Sequence, residues 1–338
     1  MLLDSSSAAT DVRPLPVPAA ERLPLNRYEY DFVAMGMKYH LVVYGPDEQT
    51  VAPALEQAEA RVRQLDRIMS DYNTESELSQ LCEHSSSGRP VRLSPELYEI
   101  LDRSLGLSRE TEGAFDVTVG PVIQLWRTAR RTKKLPPAEQ LANARELVGW
   151  QAIHLDSQFR TAEFSRSDIQ IDLGGIAAGY ASDSAMEVLR SHGLPRALID
   201  ASGDIVVGDP PPDRDGWKVT VAGLSGGADD LGSRTVVLRN ASITTSGDAR
   251  QFVEIEGRRY SHIVDPKTGL GLTRRSSTTV IAPTGWQADS YATAINVLGS
   301  QAGLAWLGQH PGCSVLTIEM EDGVEVRTES PGFPPITP

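Results

Sequence analysis

Extended segments dominate the second half of this chain, and they do not alternate with helices. "RALIDASGDIVVGD", "GWKVTVAG", "RTVVLRNASITTSG" and "RQFVEIEGRRYSHIV" follow one another, with a Pro-rich turn at 210–212 and a turn expected at Glu256-Gly257. "SVLTIEMEDGVEVRTE" reads as a hairpin turning at Asp322-Gly323. Near the start, "YEYDFVAMGMKYHLVVYG" reads as two strands interrupted at Met35-Gly36, where glycine suggests a bulge or a turn facing a ligand. "AIHLDSQFRTAEFS" and "IQIDL" also read as strands. Helical spacing is confined to separate blocks. Apolar residues recur at 51, 55, 58, 62, 65 and 69; "SPELYEILDRSLGLSRETEG" offers Ser94 as N-cap and Pro95 in the first turn; "IAAGYASDSAMEVLRSHGL" ends at Gly193; "QADSYATAINVLG" completes the set. Strict βαβ alternation is missing, so an α+β fold is expected rather than a doubly wound sheet.

Residues 114–126 read as a turn-rich loop leading to an apolar segment. Residues 127–150 read as a basic stretch, a Pro-Pro pair and a short helix, together a mobile surface excursion. Its cations, Arg127, Arg130, Arg131, Lys133 and Lys134, read as a solvated helix end. Residues 1–26 have the Ser/Ala/Pro composition of a disordered tail, 27–330 form the expected domain, and 331–338 a C-terminal tail.

A formal net charge of −13 argues against a broad nucleic-acid surface, which needs clustered Lys and Arg. The two cysteines, Cys82 and Cys313, lie far apart without metal or redox spacing, and two buried thiols are expected rather than a bridge. No apolar run reaches the ~20 residues of a membrane span. The N-terminus lacks the basic start and apolar core of a signal peptide, so the chain as it stands is expected in the cytoplasm. It is expected to be periplasmic or membrane-anchored if an export signal has been removed.

Four glycine-bearing polar stretches interrupt the apolar pattern: "GAFDVTVGP", "QIDLGGIAAGY", "TTSGDARQF" with "YSHIVDPKTG", and "QADSYAT". Each alone also fits a purely structural role: a plain loop, a strand end whose carboxylate caps the next helix, a strand with His262 packed in the core, an amphipathic helix whose Thr293 bonds its own turn. Asp289 and Thr293, four residues apart, share one helix face and supply two hard oxygen ligands of the kind Mg²⁺ takes. The glycines of "DLGG" would let the backbone approach the same ion or its phosphates.

Taken in order, these stretches resemble the ApbE family, flavin transferases that move FMN from FAD onto a protein threonine. The resemblance runs from about Phe32 to about Gly299 and comprises "MGMKYHLVVYG", "MSDYNTESELSQL", "GAFDVTVGPVIQLW", "IDLGGIAAGYASDSAMEVL", "LIDASGDI", "TTSGDARQF", "YSHIVDPKTG" and "APTGWQADSYATAINVLG". It implies mixed, largely antiparallel sheets with packed helices and an FAD cleft between subdomains. It implies Mg²⁺ held by Asp289, Thr293 and a backbone oxygen of Gly175. The implied FAD contacts are Met35, Tyr72, Ala114, Phe115, Asp116, Asp172, Ala178 and Val264, with His262 beside the isoalloxazine and the incoming acceptor. The implied partners are FAD and an acceptor protein carrying the threonine. Two positions depart from the family pattern: Ala178, where Lys or Glu is frequent, and Ser202 in "DASGD", where a glycine is usual. An acceptor hydroxyl needs a base, and His262 is the candidate, with Asp265 or Asp248 as orienter. FAD hydrolysis to FMN and AMP, and FAD binding without catalysis, are the alternatives.

Overall fold

The computed structural model describes residues 24–84, 88–221, 223–224, 234–249 and 251–335. Strand β1 (Asn26–Ala34) turns at Met35-Gly36 into β2 (Met37–Gly45). Both turn residues have positive φ, 53° and 68°, the two-residue hairpin geometry that glycine makes accessible. Helix α1 (Glu48–Met69) follows, capped by the Asp47 carboxylate, which accepts from the Thr50 N–H at 2.8 Å. After α2 (Glu77–His84) and β3 (Val91–Arg92), α3 (Pro95–Glu110) starts at Ser94, whose Oγ accepts from the Leu97 N–H at 3.2 Å, with Pro95 in the first turn.

Next come α4 (Gly120–Thr132), α5 (Ala138–Glu146), and the hairpin of β4 (Ile153–Asp156) and β5 (Thr161–Phe164). Helix α6 (Ala177–Ser191) leads into β6 (Ala197–Ala201) and β7 (Asp204–Val207). Then follow β8 (Trp217–Val221), β9 (Arg234–Leu238), β10 (Ala241–Gly247), β11 (Phe252–Ile255), β12 (Arg258–Ser261) and β13 (Ser276–Ala282). Helices α7 (Gly285–Leu298) and α8 (Ser300–Leu307) precede β14 (Ser314–Glu321) and β15 (Val324–Glu329).

Eight strands form one antiparallel sheet in the order β1-β2-β6-β7-β10-β13-β14-β15. The fold is therefore α+β with largely antiparallel sheets. One face of the sheet carries α1, α3, α6 and α7 over a large core that includes Leu41, Leu65, Leu97, Ile176, Ala181 and Ile295. The other face packs against β8 and β9 through Trp217, Val219, Val236, Leu316 and Ile318. A third cluster joins α4 and α5 to the β11–β12 hairpin through Val122, Trp126, Ala129, Ala144, Val253 and Tyr260.

Several elements differ from the sequence expectation. "IQIDL" is not a strand: it runs as irregular chain from Ile169 to Leu173, with Ile169, Ile171 and Leu173 all buried. The segment lies against the 3-10 turn and the start of α4, where the Asp172 N–H donates to the Val117 carbonyl at 2.8 Å and a Cβ on Gly120 would meet the Gln170 carbonyl. The loop expected over 114–126 closes after one 3-10 turn at Val117–Val119 and becomes α4, whose Val122, Trp126 and Ala129 supply an apolar face. Residues 127–150 complete α4 and form α5. Strand β13 was not anticipated; all seven of its residues are buried at the centre of the sheet, and four are Ser or Thr. The expected N-terminal tail falls largely outside the described residues, which exclude 1–23 and 336–338; of the expected C-terminal tail, 331–335 are described, and Phe333 is buried in the cluster under β8 and β9. Cys82 and Cys313 are free and half-buried. Among the described residues no helix is long and apolar enough to cross a membrane.

Helices α6 and α7 touch backbone to backbone at Gly179 and Gly285. A Cβ on Gly179 would overlap the Gly285 carbonyl, and one on Gly285 would meet the Gly179 carbonyl. The crossing brings Asp289 to the start of α6, where its Oδ2 accepts from the Gly179 N–H at 3.1 Å. Gly179→Ala is expected to force the helices apart and destabilise the protein by about 1–3 kcal/mol, the usual cost of overpacking. Chemical denaturation checks this; unchanged stability would mean the crossing is soft.

Candidate active site

Most of the polar stretches picked out in the sequence line one cavity of about 290 Å³. Its walls come from Tyr72 after α1, the Ala114–Val119 turn, the α4 residues Ile123, Arg127 and Arg130, the loop residues Asp172, Gly174 and Gly175, the segment His262–Val264 after β12, and Thr293 and Val297 of α7. Of the site residues expected from sequence, Tyr72, Ala114, Phe115, Asp116, Asp172, Gly175, His262, Val264 and Thr293 line it. Met35, Ala178 and Asp289 do not.

Met35 occupies the β1–β2 turn, where its N–H donates to Asp66 Oδ2 at 2.9 Å and its sulfur lies 3.5 Å from the Tyr39 hydroxyl. Ala178 is buried in the first turn of α6. Ser202 lies outside the cavity in the β6–β7 turn at φ 56°, where it ties the turn to β2: its Oγ accepts from the Lys38 N–H at 3.2 Å and donates to the Lys38 carbonyl at 3.1 Å. A serine there costs left-handed backbone and returns two hydrogen bonds.

The "DLGG" loop answers for its own residue types. Asp172 folds back on the loop, accepting from the Gly174 N–H at 2.8 Å, while its other oxygen takes Arg127 Nη2 at 2.8 Å. Gly175 then passes so close to α7 that a Cβ on it would sit 3.2 Å from Thr293 Oγ1 and 3.4 Å from the Phe115 ring. Backbone of Gly175 and hydroxyl of Thr293 are thus neighbours across 118 residues of sequence. Asp289 lies one helical turn before Thr293 and is buried, at 5% exposure. Burial, followed by the charge of Asp204, holds its carboxyl well above the ordinary range. Asp204, also pushed up by burial, is hydrogen-bonded by the Thr244 side chain. Two desolvated acids in mutual repulsion are a place where a cation would be welcome.

Asp116 caps the 3-10 turn, accepting from Thr118 N at 2.8 Å and Thr118 Oγ1 at 2.7 Å, and takes the Trp150 N–H at 3.0 Å on its other oxygen. Burial raises its carboxyl, against those bonds. His262 Nδ1 lies 3.0 Å from the Gln251 carbonyl. In the neutral ring Nδ1–H donates there, and Nε2 is left as the acceptor. Burial lowers the imidazole, opposed by the Gln251 bond, with the Arg130 charge lowering it further. The expected orienters are elsewhere. Asp265 accepts from Lys267 N and Thr268 Oγ1, and Asp248 is taken up by Arg259 and the Ser276 N–H. The Gln251 carbonyl occupies the place expected for an orienting carboxylate, and nothing in side-chain spacing announces a carbonyl.

Arg127 and Arg130, expected at a solvated helix end, line the cavity instead. Arg127 bridges Asp71 at 2.6 Å and Asp172 at 2.8 Å, and its guanidinium lies 4.2 Å from the Tyr72 ring centre. The signal was available: Arg127 and Arg130 are three apart on the helix that also carries buried Val122, Trp126 and Ala129, so they flank its apolar face.

Residues 35–317 match the ApbE family. The chain is 30% identical over 304 residues to an FAD:protein FMN transferase of Haemophilus influenzae, covering 88% of each, and 30% identical over 277 residues to one of Klebsiella pneumoniae, covering 80% of this chain and 78% of the relative. In structure it is similar to the flavin transferase ApbE of Vibrio cholerae, with a TM-score of 0.81, 27% identity, and coverage of 91% of this chain and 98% of the other.

Proposed function

The chain belongs to the ApbE family, and from that premise we propose that it transfers FMN from FAD to a threonine hydroxyl of an acceptor protein, with Mg²⁺ as cofactor and AMP as the leaving group. The observation that supports this best is the convergence of Asp172, Gly175, Thr293 and His262 on one cavity, with Asp289 a turn behind Thr293.

The donor set suits the metal. Asp289 supplies a carboxylate, Thr293 a hydroxyl and Gly175 a carbonyl, all hard oxygens, as Mg²⁺ prefers when it also takes substrate phosphate. Bound Mg²⁺ would neutralise pyrophosphate charge and stabilise the departing AMP. The protein residues do the rest. The wall formed by Tyr72, Phe115 and Val264 offers apolar surface to the flavin nucleotide. His262 Nε2 takes the proton of the acceptor threonine as its oxygen attacks the FMN phosphorus; the bond from that phosphorus to the AMP oxygen breaks, and AMP leaves with the electron pair. The Gln251 carbonyl keeps the ring in the tautomer this needs.

Incubation with FAD, Mg²⁺ and a threonine-bearing acceptor should yield a fluorescent flavin band on the acceptor in a denaturing gel and stoichiometric AMP. Chelation of Mg²⁺ should suppress both. AMP release without acceptor labelling would favour FAD hydrolysis; FAD binding with neither product would favour a binding protein.

A further inference from the structure

The cavity holds two arginines, and they are not equivalent. Arg127 is committed: its guanidinium is divided between Asp71 and Asp172 and lies on the Tyr72 ring. Arg130, one helical turn further along α4, lines the same cavity and is half-buried, yet among the described residues it makes no ion pair and no side-chain hydrogen bond. Its charge is felt on two sides, stabilising the Asp172 carboxylate and disfavouring the imidazolium of His262. The guanidinium therefore lies within electrostatic reach of both the "DLGG" loop and the candidate base. Among described cavity-lining residues it is the one Arg or Lys left free.

A free guanidinium has five donors in a planar fork that matches phosphate oxygens in pairs. In a chain of net charge −13, an unpaired cation kept inside a cavity is an unusual placement. We propose that Arg130 binds the non-bridging oxygens of the phosphoryl group attached to the flavin, the group that is transferred. This rests on the flavin-transfer reading above and assigns the phosphate an anchor on the protein besides the metal. The geometry supports that position, because the attacked phosphorus must lie within reach of a hydroxyl whose proton goes to His262, and Arg130 lines the same cavity as His262. The same cation would keep His262 neutral before attack and would stabilise the negative charge on the phosphoryl oxygens during it.

The test needs no turnover. Riboflavin, FMN and FAD are titrated against wild type and Arg130→Gln by flavin fluorescence in Mg²⁺-free buffer. Riboflavin, which has no phosphate, should bind both proteins alike. FMN should lose about 10- to 100-fold in affinity in the variant, the range expected for a charged hydrogen-bonding contact. Arg130→Lys keeps the charge without the fork and should recover part of the loss. Equal FMN affinity in wild type and Arg130→Gln overturns the proposal. Parallel losses for riboflavin and FMN overturn it too, because they indicate a general cavity role. Failure of the wild type to bind any of the three flavins, with Mg²⁺ restored as well as without it, removes the flavin-transfer reading itself, and this assignment with it. Far-ultraviolet circular dichroism of the variants confirms that each is folded; Arg130 is half-buried on a helix flank, so neither change opens a core.

Discussion

Asp289→Asn is expected to lower Mg²⁺-dependent AMP release by about a thousandfold or more while leaving the protein at least as stable as wild type in metal-free buffer. Both halves follow from where Asp289 sits. It is buried beside Asp204, and its carboxyl is held well above the ordinary range by burial first and by that neighbour second. The sign runs against stability at neutral pH. A carboxyl whose folded pKa is raised contributes fully below its unfolded value of about 3.9 and loses that contribution as pH rises through the folded value. Asparagine keeps the volume and an oxygen for the Gly179 N–H at 3.1 Å, but carries no charge to desolvate. It is a far poorer metal ligand. Metal-assisted charge stabilisation is worth several kcal/mol, and each 1.36 kcal/mol is tenfold in rate. Thermal unfolding with and without Mg²⁺ separates the two effects: wild type should be stabilised by the ion, and the variant should not. Wild-type AMP release from the variant, or an undiminished shift in Tm with Mg²⁺, would remove Asp289 from the metal site.

His262→Ala is expected to slow FMN transfer by about 10²–10⁴-fold, the contribution of a positioned base, with FAD affinity nearly unchanged. In wild type the rate at saturating FAD should rise with pH along a limb set by His262. Burial lowers this imidazole, the Gln251 carbonyl opposes that effect, and the Arg130 charge adds to it. The neutral, proton-accepting form therefore persists to lower pH than in free histidine, and the limb should lie below about 6.5. In the variant the limb should vanish. A packing role under the flavin predicts the opposite pair of results, weakened FAD binding and an unaltered pH profile. Measuring FAD affinity and transfer rate against pH on the same variant decides between them.

Local chemistry was the part of this protein most legible in its sequence. The turns at Glu256-Gly257 and Asp322-Gly323 were readable because each carries a glycine, whereas Met35-Gly36, read as a bulge or a turn facing a ligand, is a hairpin turn away from the cavity; all six residues have positive φ. Helices α1, α3 and α6 were readable from apolar spacing and, for α3, from Ser94 and Pro95. That Asp289 and Thr293 lie one turn apart on a helix was readable from their spacing, although only Thr293 lines the cavity. The order of the glycine-bearing stretches was enough to indicate the family.

What the tertiary structure decided is what depends on contacts between distant residues. Strand β13 escaped notice because a central strand buried on both faces shows no alternation, and "SSTTVIA" is half hydroxyl. Among its polar side chains, Thr279 pairs with Thr245, and Ser276 and Thr278 with Asn296, partners that only the fold brings near. "IQIDL" alternates as a strand would, yet no partner strand is offered to it, and burial against the 3-10 turn and the start of α4 produces the same pattern. The placement of Gly175 against Thr293, Asp204 beside Asp289 and the Gln251 carbonyl against His262 joins positions whose separation no periodicity encodes. Arg127 and Arg130 show the limit most plainly. A basic helix end is solvated by default, and only the packing of α4 against the β11–β12 hairpin turns that end into a cavity wall.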